Sequence, residues 1–543
     1  MYVSELSGDD QRDTQMGTGE VPVSPPARPT LSTTTDGEDP TVSDESSITM
    51  ATQGGITLVG DVVKKSFGFL IIAIITRLVS PSIYGLFVLG TSVILFVQVF
   101  ATLGLPKAID YYVPQFLAAD EPAKARGVVL QVVAFTIGTS VGTAIALSLL
   151  ADRLALWFGE PSLRIALILL AVALPLLAAF NVLLAIFNAI KQLQYRVYVR
   201  DIARPTVRLV ATAALLVGGF GLIGVVGGYI IGLLACIVVG GVLLSRNVGF
   251  LFGTDVEFIS TPKLLWYAVP LAFAGVIYVV LGQIDYVIVG FFLASEDVGF
   301  YRVGYMLAEN LFIFFAALAP VFKPLIAEVR ADDDAVRAQY QTAVRWVLAL
   351  TLPVLVVVVL GASTYLSIVF TPQYEVAAPV VAVLAGGYIV SIAGGGPGGS
   401  LLQGLGYSRL VFFNTGLLLV TNIVVSVLLV PRIGILGAGI GSAAALSVAG
   451  GAALIELYVL RRIHAFTNRL GRVVAASLPA ALVGCLIVLV VPNLYVVGVL
   501  LPIVVVSAYL AGLLGLNAVT DVDLRVAGEI DPRFQRGLRL LRR

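Results

Sequence analysis

The residues of this chain that could do chemistry are a few charged side chains inside long apolar stretches. Asp61, Lys64 and Lys65 lie in the first stretch, and spacings of three and four residues place the acid beside both lysines on a helix. A charge within hydrocarbon costs at least about 2.5–3.5 kcal/mol, so each one indicates a cavity or a partner. The lysines could meet an incoming phosphate, with Asp61 as an ion-coupling carboxylate. Alternatively, this is a salt-bridged helix start whose lysines extend into water.

A second group lies later in the chain, where Gln283 and Asp285 precede Arg302, Glu309 and Asn310. Arg302 and Glu309 are seven residues apart and therefore share a helix face, and Asp285 and Arg302 could pair across a short turn. In the functional interpretation, Asp285 and Glu309 bind a coupling ion or proton, and Arg302 faces a phosphate or acidic sugar. Gln283 and Asn310 would then line a polar cavity. The alternative is a structural ion pair between packed helices.

Three further arginines lie at the ends of apolar stretches. Arg77 ends the first stretch, and Arg204 and Arg208 begin the fifth, where Asp201 can pair with Arg204 or Arg200. A guanidinium group is suited to phosphate because its donors form a planar fork. Arg77, Arg204 and Arg208 could therefore contact a substrate, or they could serve only to orient the chain in a membrane.

Other motifs indicate structure rather than catalysis. The run GGGPGGS at Gly394–Ser400 must break or bend a helix, as a hinge or as a site of close packing. The acids Asp332–Asp334 are best explained as a helix start, where negative charge is favoured. The glycine-rich segments lack the Lys–Ser/Thr ending of a phosphate-binding loop. We therefore expect no metal, no cofactor and no ATP site.

The composition restricts the class of protein. Of 543 residues, 58% are hydrophobic and 12% charged, against about 45–50% and about 25% in soluble domains. A soluble enzyme, a secreted disulfide scaffold and a nucleic-acid binder are excluded. Cys236 and Cys485 lie in separate apolar runs, which predicts two small buried side chains rather than a disulfide bridge.

The two ends of the chain differ in charge. Residues 1–50 carry ten acids against two arginines, a net charge of −8, so the remainder carries +9. Residues 1–52 are predicted to form a disordered acidic tail without a signal peptide. Residues 519–543 are predicted to form a basic tail with a short amphipathic helix, either on an anionic membrane surface or in water.

Between these tails the chain is a series of apolar stretches long enough to cross about 30 Å of hydrocarbon as helices. The prediction is an all-α polytopic membrane protein with fourteen spans, or twelve or thirteen if a weak pair is re-entrant. The predicted spans are 56–78, 84–104, 126–150, 164–189, 203–220, 222–245, 264–292, 298–322, 342–367, 376–403, 410–430, 434–460, 472–491 and 496–516.

Basic residues orient these spans. Nineteen lysines and arginines fall in one set of alternate loops, and the opposite set holds only Arg77, Arg153, Arg164, Arg302 and Arg432. Because basic loops stay in the cytoplasm, both termini are predicted to be cytoplasmic in a multi-pass protein of the plasma membrane.

The chain also repeats itself. Gly85, Gly90 and Pro106 fall on Gly299, Gly304 and Pro320 at an offset of 214 residues, and Gly221, Gly224 and Gly228 fall on Gly434, Gly437 and Gly441 at an offset of 213. Six spans separate equivalent positions, so the copies run parallel, as in many transporters. The predicted domains are a six-helix lobe at 53–248, a cytoplasmic linker at 249–262, a second six-helix lobe at 263–463 and two further helices at 464–518.

The sequence resembles a known family in three places. These are RLVSPSIYG from Arg77, IDYVIVGFFLASEDVGFYRVGYMLAENL at Ile284–Leu311, and LLQGLGYSRLVFFNTGLLLVTNIVVSVLLVPRIGILGAGIGSAAA at Leu401–Ala445. They resemble the polysaccharide-biosynthesis flippases of the multidrug/oligosaccharidyl-lipid/polysaccharide exporter superfamily over about residues 51–516. The resemblance implies that the two lobes move a lipid-linked oligosaccharide across the membrane by alternating access.

The expected partners are the lipid-linked oligosaccharide, on a polyprenyl or dolichyl phosphate or pyrophosphate, and membrane lipids. A monomer is expected, without nucleic acid, and glycosyltransferases, an oligosaccharyltransferase or a polymerase are possible further partners. One alternative is a drug or metabolite exporter of the same superfamily. Another is a membrane glycosyltransferase or polysaccharide polymerase, although its outward loops would be too short for a catalytic domain.

Overall fold

The computed structural model of the chain describes residues 63–394 and 396–518, and every regular element in these ranges is helical. The all-α prediction is therefore confirmed for this part of the chain. The predicted acidic tail 1–52, Asp61 and the predicted basic tail 519–543 lie outside the described residues.

Nine α-helices are described before the predicted linker. They are α1 (63–78), α2 (Pro81–Thr102), α3 (Pro106–Ala118), α4 (Pro122–Trp157), α5 (Leu163–Ala171), α6 (Ala173–Ala189), α7 (Leu193–Val197), α8 (Arg204–Val217) and α9 (Gly221–Asn247). A π-helical stretch, Tyr198–Ala203, joins α7 to α8, and a 3-10 turn, Gly249–Phe252, follows α9.

Eleven α-helices are described after the linker. They are α10 (Thr261–Phe292), α11 (Ser295–Glu309), α12 (Ile313–Glu328), α13 (Asp333–Leu360), α14 (Ala362–Tyr365), α15 (Ala378–Gly394), α16 (Gly396–Gly404), α17 (Ser408–Ile433), α18 (Ile435–Arg461), α19 (Asn468–Val490) and α20 (Leu494–Gly515). A 3-10 turn, Asn310–Phe312, joins α11 to α12. The π-helical Leu366–Phe370 and the 3-10 helix Pro372–Ala377 lie between α14 and α15.

Within the described residues, eleven helical segments are long and apolar enough to cross a membrane. The pair α5 and α6, bent by 42°, makes a twelfth if it is one span. The count of fourteen is not confirmed. Of the two other predicted spans, the first is described only from residue 63 as α1, and the fifth is the 14-residue α8, which a π-helical stretch precedes.

Local sequence explains where key helices begin. Pro81 occupies the first turn of α2, where its missing N–H costs nothing, and the Ser80 side chain accepts a hydrogen bond from the Ile83 N–H. The Asp332 carboxylate accepts hydrogen bonds from the N–H groups of Asp334 and Ala335, at 3.0 and 3.1 Å. The predicted helix start at Asp332–Asp334 is therefore confirmed.

The predicted interruption at Gly394–Ser400 falls partly on residue 395, which lies outside the described residues. The structure describes α15 up to Gly394 and α16 from Gly396. A hinge at this run therefore stays a prediction.

The two cysteines are both free thiols but differ in burial. Cys236 is buried in α9 and donates a hydrogen bond to the Val199 carbonyl at 3.3 Å. Cys485 is exposed, so its predicted burial is wrong. The reason is that α19 packs mainly on α13 and α20, which leaves one side of the helix uncovered.

The repeated glycines make equivalent contacts in the two halves of the chain. Gly228 of α9 packs on Thr212 of α8, and Gly441 of α18 packs on Ser426 of α17. In both places a Cβ on the glycine would overlap the neighbouring hydroxyl oxygen. Gly228 and Gly441 are 213 residues apart, and their partners Thr212 and Ser426 are 214 residues apart. The repeat in sequence is therefore a repeat in structure.

The first repeated glycine pair brings the two halves together where α2 crosses α11. A Cβ on Gly85 would overlap the carbonyl oxygen of Ser295, and one on Gly299 would lie 2.6 Å from the carbonyl oxygen of Pro81. Pro81 and Ser295 are 214 residues apart, so the repeat exchanges these two contacts, as in a two-fold symmetric interface. The hydroxyls of Ser82 and Ser295 are 2.9 Å apart at the same place. We call this contact the α2–α11 crossing.

The predicted linker, residues 249–262, is held against α4. Arg126 is buried and donates a hydrogen bond to the carbonyl of Phe250 at 2.7 Å. The Gln131 amide donates to the Ile259 carbonyl at 2.8 Å and accepts from the Ile259 N–H at 3.2 Å. These contacts fix the path of the chain from α9 to α10.

Candidate functional site

A cavity of about 360 Å³ lies among helices of both halves, directly beside the α2–α11 crossing. Three arginines line it, and no acidic residue is among the described residues that do so. The lining residues are Gly68, Ile71, Ile72 and Ile75 of α1; Tyr84, Phe87, Val88, Thr91 and Leu95 of α2; Arg204 and Arg208 of α8; Tyr229 of α9; Gln283 and Tyr286 of α10; and Arg302 of α11. We call it the arginine cavity.

Two of these arginines come from consecutive turns of α8 and lie over aromatic rings. The Arg204 guanidinium is 4.8 Å from the centre of the Phe180 ring, and that of Arg208 is 5.0 Å from the Tyr229 ring and 5.6 Å from the Phe87 ring. Stacking on aromatic faces holds a guanidinium without using its donors. In the described structure the buried Nε of Arg208 has no hydrogen-bond partner. The described part of the protein therefore leaves this donor unused.

The carboxylate near α8 belongs to a different pair. Asp201 is fully buried in the π-helical stretch, and Arg200 donates to its two oxygens at 2.7 and 2.9 Å. Of the two pairings left open by the sequence, the structure has the one with Arg200. Asp201 therefore does not hold Arg204, and both Arg204 and Arg208 line the cavity.

Arg302 reaches the cavity from α11. It donates to the Tyr286 hydroxyl at 2.8 Å, and its guanidinium is 3.9 Å from the Glu309 carboxylate. The predicted shared face of Arg302 and Glu309 is therefore confirmed. Glu309 also lies within electrostatic range of Lys65 of α1. Glu309 is thus near two of the predicted substrate-binding cations, Arg302 and Lys65.

Asp285 belongs to a separate buried network within the second half. It accepts hydrogen bonds from Ser442 at 2.5 Å, from Tyr301 at 2.8 Å and from Asn422 at 3.0 Å. The predicted pairing of Asp285 with Arg302 is wrong, because Asp285 turns towards α17 and α18 whereas Arg302 faces the cavity. Among the described residues, no cation is a hydrogen-bond or ion-pair partner of this carboxyl group.

The two predicted polar cavity residues have different positions. Gln283 lines the arginine cavity, and its side-chain oxygen accepts a hydrogen bond from Ser92 of α2 at 2.9 Å. Asn310 lies where α11 ends, and its amide donates one turn back to the Met306 carbonyl at 2.7 Å. Asn310 is not among the described residues that line the cavity.

The remaining predicted cations lie at the two ends of α1. Lys64 and Lys65 are exposed, and they precede the cavity-lining Gly68 and Ile72 by four and seven residues on the same helix faces. Arg77, at the other end, donates to the backbone carbonyls of the π-helical Leu366–Phe370. Arg77 therefore caps a helix end and does not line the cavity.

A second cavity, of about 480 Å³, continues the first along the same helices, and Leu95 lines both. The α2 face that begins at Tyr84 continues through Leu95 to Gln98 and Thr102, with spacings of three and four residues. The α10 face runs likewise from Tyr286 back to Ala272. The two cavities therefore lie next to each other along α2 and α10. We call the second one the amide cavity and the two together the cleft.

The sequence of the chain matches a known family over this region. The family described as polysaccharide biosynthesis protein matches residues 74–379, which is more than half of the chain. This chain belongs to that family. The match includes every arginine of the arginine cavity. No curated protein sequence matches the chain.

Solved structures of other proteins share the fold of this chain. The chain is similar to the Lipid II flippase MurJ in an inward closed conformation, with a TM-score of 0.66 and 13% identity over 84% of this chain and 97% of that one. It is also similar to an inward-facing multidrug resistance MATE family transporter of the MOP superfamily, with a TM-score of 0.62 and 13% identity over 73% and 95% of the two chains. At this identity the likeness shows the fold, which is that of the superfamily indicated by the sequence.

Sequence reasoning missed the aromatic and hydroxyl partners in this family member. Phe87 and Tyr229 look like ordinary apolar-span residues, and only the packing shows that Arg208 lies over their rings. Asn422 and Ser442 carry a usable signal, because polar side chains inside apolar spans need a partner. Their link to Asp285 across 137 and 157 residues could not be inferred from spacing.

Proposed function

We propose that this protein moves a lipid-linked oligosaccharide, carried on a polyprenyl or dolichyl phosphate or pyrophosphate, from the cytoplasmic to the outer face of the plasma membrane by alternating access of two lobes. The observation that carries the proposal is the arginine cavity, in which three guanidinium groups face one space without a lining acid. Membership of a polysaccharide biosynthesis family supports a glycan as cargo. Both termini would be cytoplasmic, and the protein would act without bond chemistry.

A phosphate is the group that best matches this cavity. Three clustered cations inside a membrane are costly unless an anion is bound, and arginine binds phosphate oxygens through paired N–H donors. Arg208 lies within electrostatic range of both Arg204 and Arg302, so the three charges repel one another when the cavity holds no anion. A bound phosphate would relieve that repulsion. A cationic drug would increase it, which disfavours the exporter alternative.

Lys64 and Lys65 would attract the phosphate before it reaches the arginines. They continue the cavity-lining faces of α1 towards the predicted cytoplasmic end. Exposed lysines act as point charges and suit a transient contact. Arg77 is not proposed as a substrate contact, because its donors are used by backbone carbonyls.

Deletion of the gene tests this proposal directly. We expect lipid-linked oligosaccharide to accumulate on the cytoplasmic face, measured by its accessibility to an impermeant glycosidase in inverted and right-side-out vesicles. Re-expression of the wild-type chain should restore the outer pool. If no lipid-linked intermediate is made at all, the protein belongs to synthesis rather than transport. An unchanged distribution would contradict the flippase proposal.

Asp285 is proposed as the coupling carboxyl group, with Glu309 as a second candidate. A buried carboxyl group surrounded only by hydroxyl and amide donors can bind a proton or a small cation without breaking an existing ion pair. Glu309 would instead pair with Arg302 when no ligand is bound and lose that partner when Arg302 binds the ligand. Neither role requires the two acids to touch.

Substitution Asp285→Asn tests the coupling role. The variant keeps the hydrogen-bonding size of the group but removes its charge, so we expect translocation in vesicles to lose its dependence on an imposed proton or sodium gradient. The rate under a gradient should fall by about tenfold or more, the equivalent of 1.4 kcal/mol. Asp152→Asn is the matched control, because it removes the charge of an exposed acid that pairs with Arg164 outside this network, and it should keep the gradient response. A gradient response that persists in Asp285→Asn would exclude this residue.

A further inference from the structure

The amide cavity differs in chemistry from the arginine cavity although both lie along one cleft. Its polar lining includes the carboxamides of Gln98, Asn181 and Asn188. Its charged groups already have protein partners: Lys107 pairs with Asp110 at 3.3 Å, and Arg196 donates to Asn188 at 3.3 Å. The amide cavity therefore presents mainly neutral groups, whereas three cations and no acid are among the described residues that line the arginine cavity.

Several polar atoms of the amide cavity lack protein partners. Within the described part of the chain, the side chains of Gln98 and Asn181 make no hydrogen bond, and the Oδ1 atom of Asp110 is buried without a partner. A buried polar group without a partner costs about 1–3 kcal/mol. The Asp110 oxygen is one such group, and the half-buried amides of Gln98 and Asn181 lie beside it around one space of about 480 Å³. Together they indicate a site for a hydrogen-bonding ligand, within the usual range of about 300–1,000 Å³.

We infer that the amide cavity binds the neutral, hydroxyl-bearing sugars that follow the phosphate of the transported lipid. A carboxamide both donates and accepts hydrogen bonds, as does a sugar hydroxyl group, whereas the Asp110 oxygen accepts only. The inference rests on the proposed function, since it assigns the next part of the same ligand.

The spacing of the two cavities fits a ligand that joins a phosphate to a sugar. Thr91 lines the arginine cavity and Gln98 lines the amide cavity on one face of α2. Seven residues of helix separate them by about 10 Å. A phosphate bound by Arg204, Arg208 and Arg302 would therefore place its attached sugars in the amide cavity. The lipid chain would remain against the apolar outer surface of the helices.

The test compares two lipids on the purified full-length protein. One probe is a short-chain polyprenyl phosphate without sugar, and the other is the same lipid with a single neutral hexose. We expect the wild-type chain to bind the hexose-bearing lipid about tenfold more tightly. The double variant Gln98→Met/Asn181→Leu should bind both lipids equally while its affinity for the bare lipid stays within about twofold of wild type. Asn247→Leu, an exposed amide at the end of α9, should keep the preference.

The outcomes separate this inference from the proposed function. A wild-type chain that binds the two lipids equally, or a double variant that keeps the preference, overturns the sugar site and leaves the phosphate site standing. A wild-type chain that binds neither lipid overturns both. If the double variant fails to fold, each single variant is measured, and an undiminished preference in both contradicts the inference.

Discussion

Arg302→Gln is expected to lower the rate of lipid-linked oligosaccharide translocation by about 10- to 150-fold, because a hydrogen bond to a charged group contributes about 1.5–3 kcal/mol. The substitution removes one of three cations from the arginine cavity and the donor to Tyr286. It also leaves Glu309 without its neighbour at 3.9 Å. The measurement is the outer pool of lipid-linked oligosaccharide at matched protein level.

Two variants show whether position and geometry matter. Arg302→Lys keeps the charge but loses the planar fork, so its rate should lie between those of wild type and Arg302→Gln. Arg432→Gln removes an exposed arginine at the end of α17 that donates only to its own helix, and it should behave as wild type. Full translocation by Arg302→Gln would remove this residue from the phosphate site.

Gly85→Val is expected to prevent the α2–α11 crossing from closing. The new Cβ would overlap the carbonyl oxygen of Ser295, and a backbone atom cannot turn aside as a side chain can. Overpacking of this kind costs about 1–3 kcal/mol, which shifts a two-state equilibrium by about 5- to 150-fold. The protein should therefore populate a state whose cavity opens beside the crossing, and transport should stop.

Labelling with an impermeant maleimide measures this opening. In a chain without Cys236 and Cys485, a Thr91→Cys reporter in the cavity should react faster from the outer side when Gly85→Val is present. Gly299→Val should have the same effect, because the repeat exchanges the two positions. Gly138→Val on α4, where a Cβ meets no atom within 4 Å, is the matched control. Unchanged labelling in a folded Gly85→Val protein would contradict a gating role for the crossing.

The sequence was sufficient for the features that depend on local periodicity. Apolar stretches predict the helices, and the offsets of 213 and 214 predict that Gly228 and Gly441 occupy equivalent places. The shared face of Arg302 and Glu309 follows from a spacing of seven residues. Each of these predictions concerns residues on one helix, or on two helices related by the repeat.

The features that the sequence could not supply depend on which helices are neighbours. Asp285 and Arg302 are close in sequence, yet α10 and α11 direct them to different surroundings, and the partners of Asp285 come from α17 and α18. Arg77 and Arg204 both lie at the end of an apolar stretch, but only the packing shows that Arg77 donates to the backbone carbonyls of a helix end. The cleft along α2 and α10 is likewise a property of packing.

The internal repeat has a consequence for the two polar sites. At the same offsets, Asp285, Tyr301, Asn422 and Ser442 of the second half correspond to Ile71, Phe87, Arg208 and Tyr229 of the first. The four equivalent positions thus hold a carboxyl group with its donors in the second half and a cation between two rings in the first. Two identical subunits would have the same residue at both places. A charged residue in one half and a neutral residue at the equivalent position of the other, as at Asp285 and Ile71 or Arg208 and Asn422, require two copies that lie in one chain and differ in sequence.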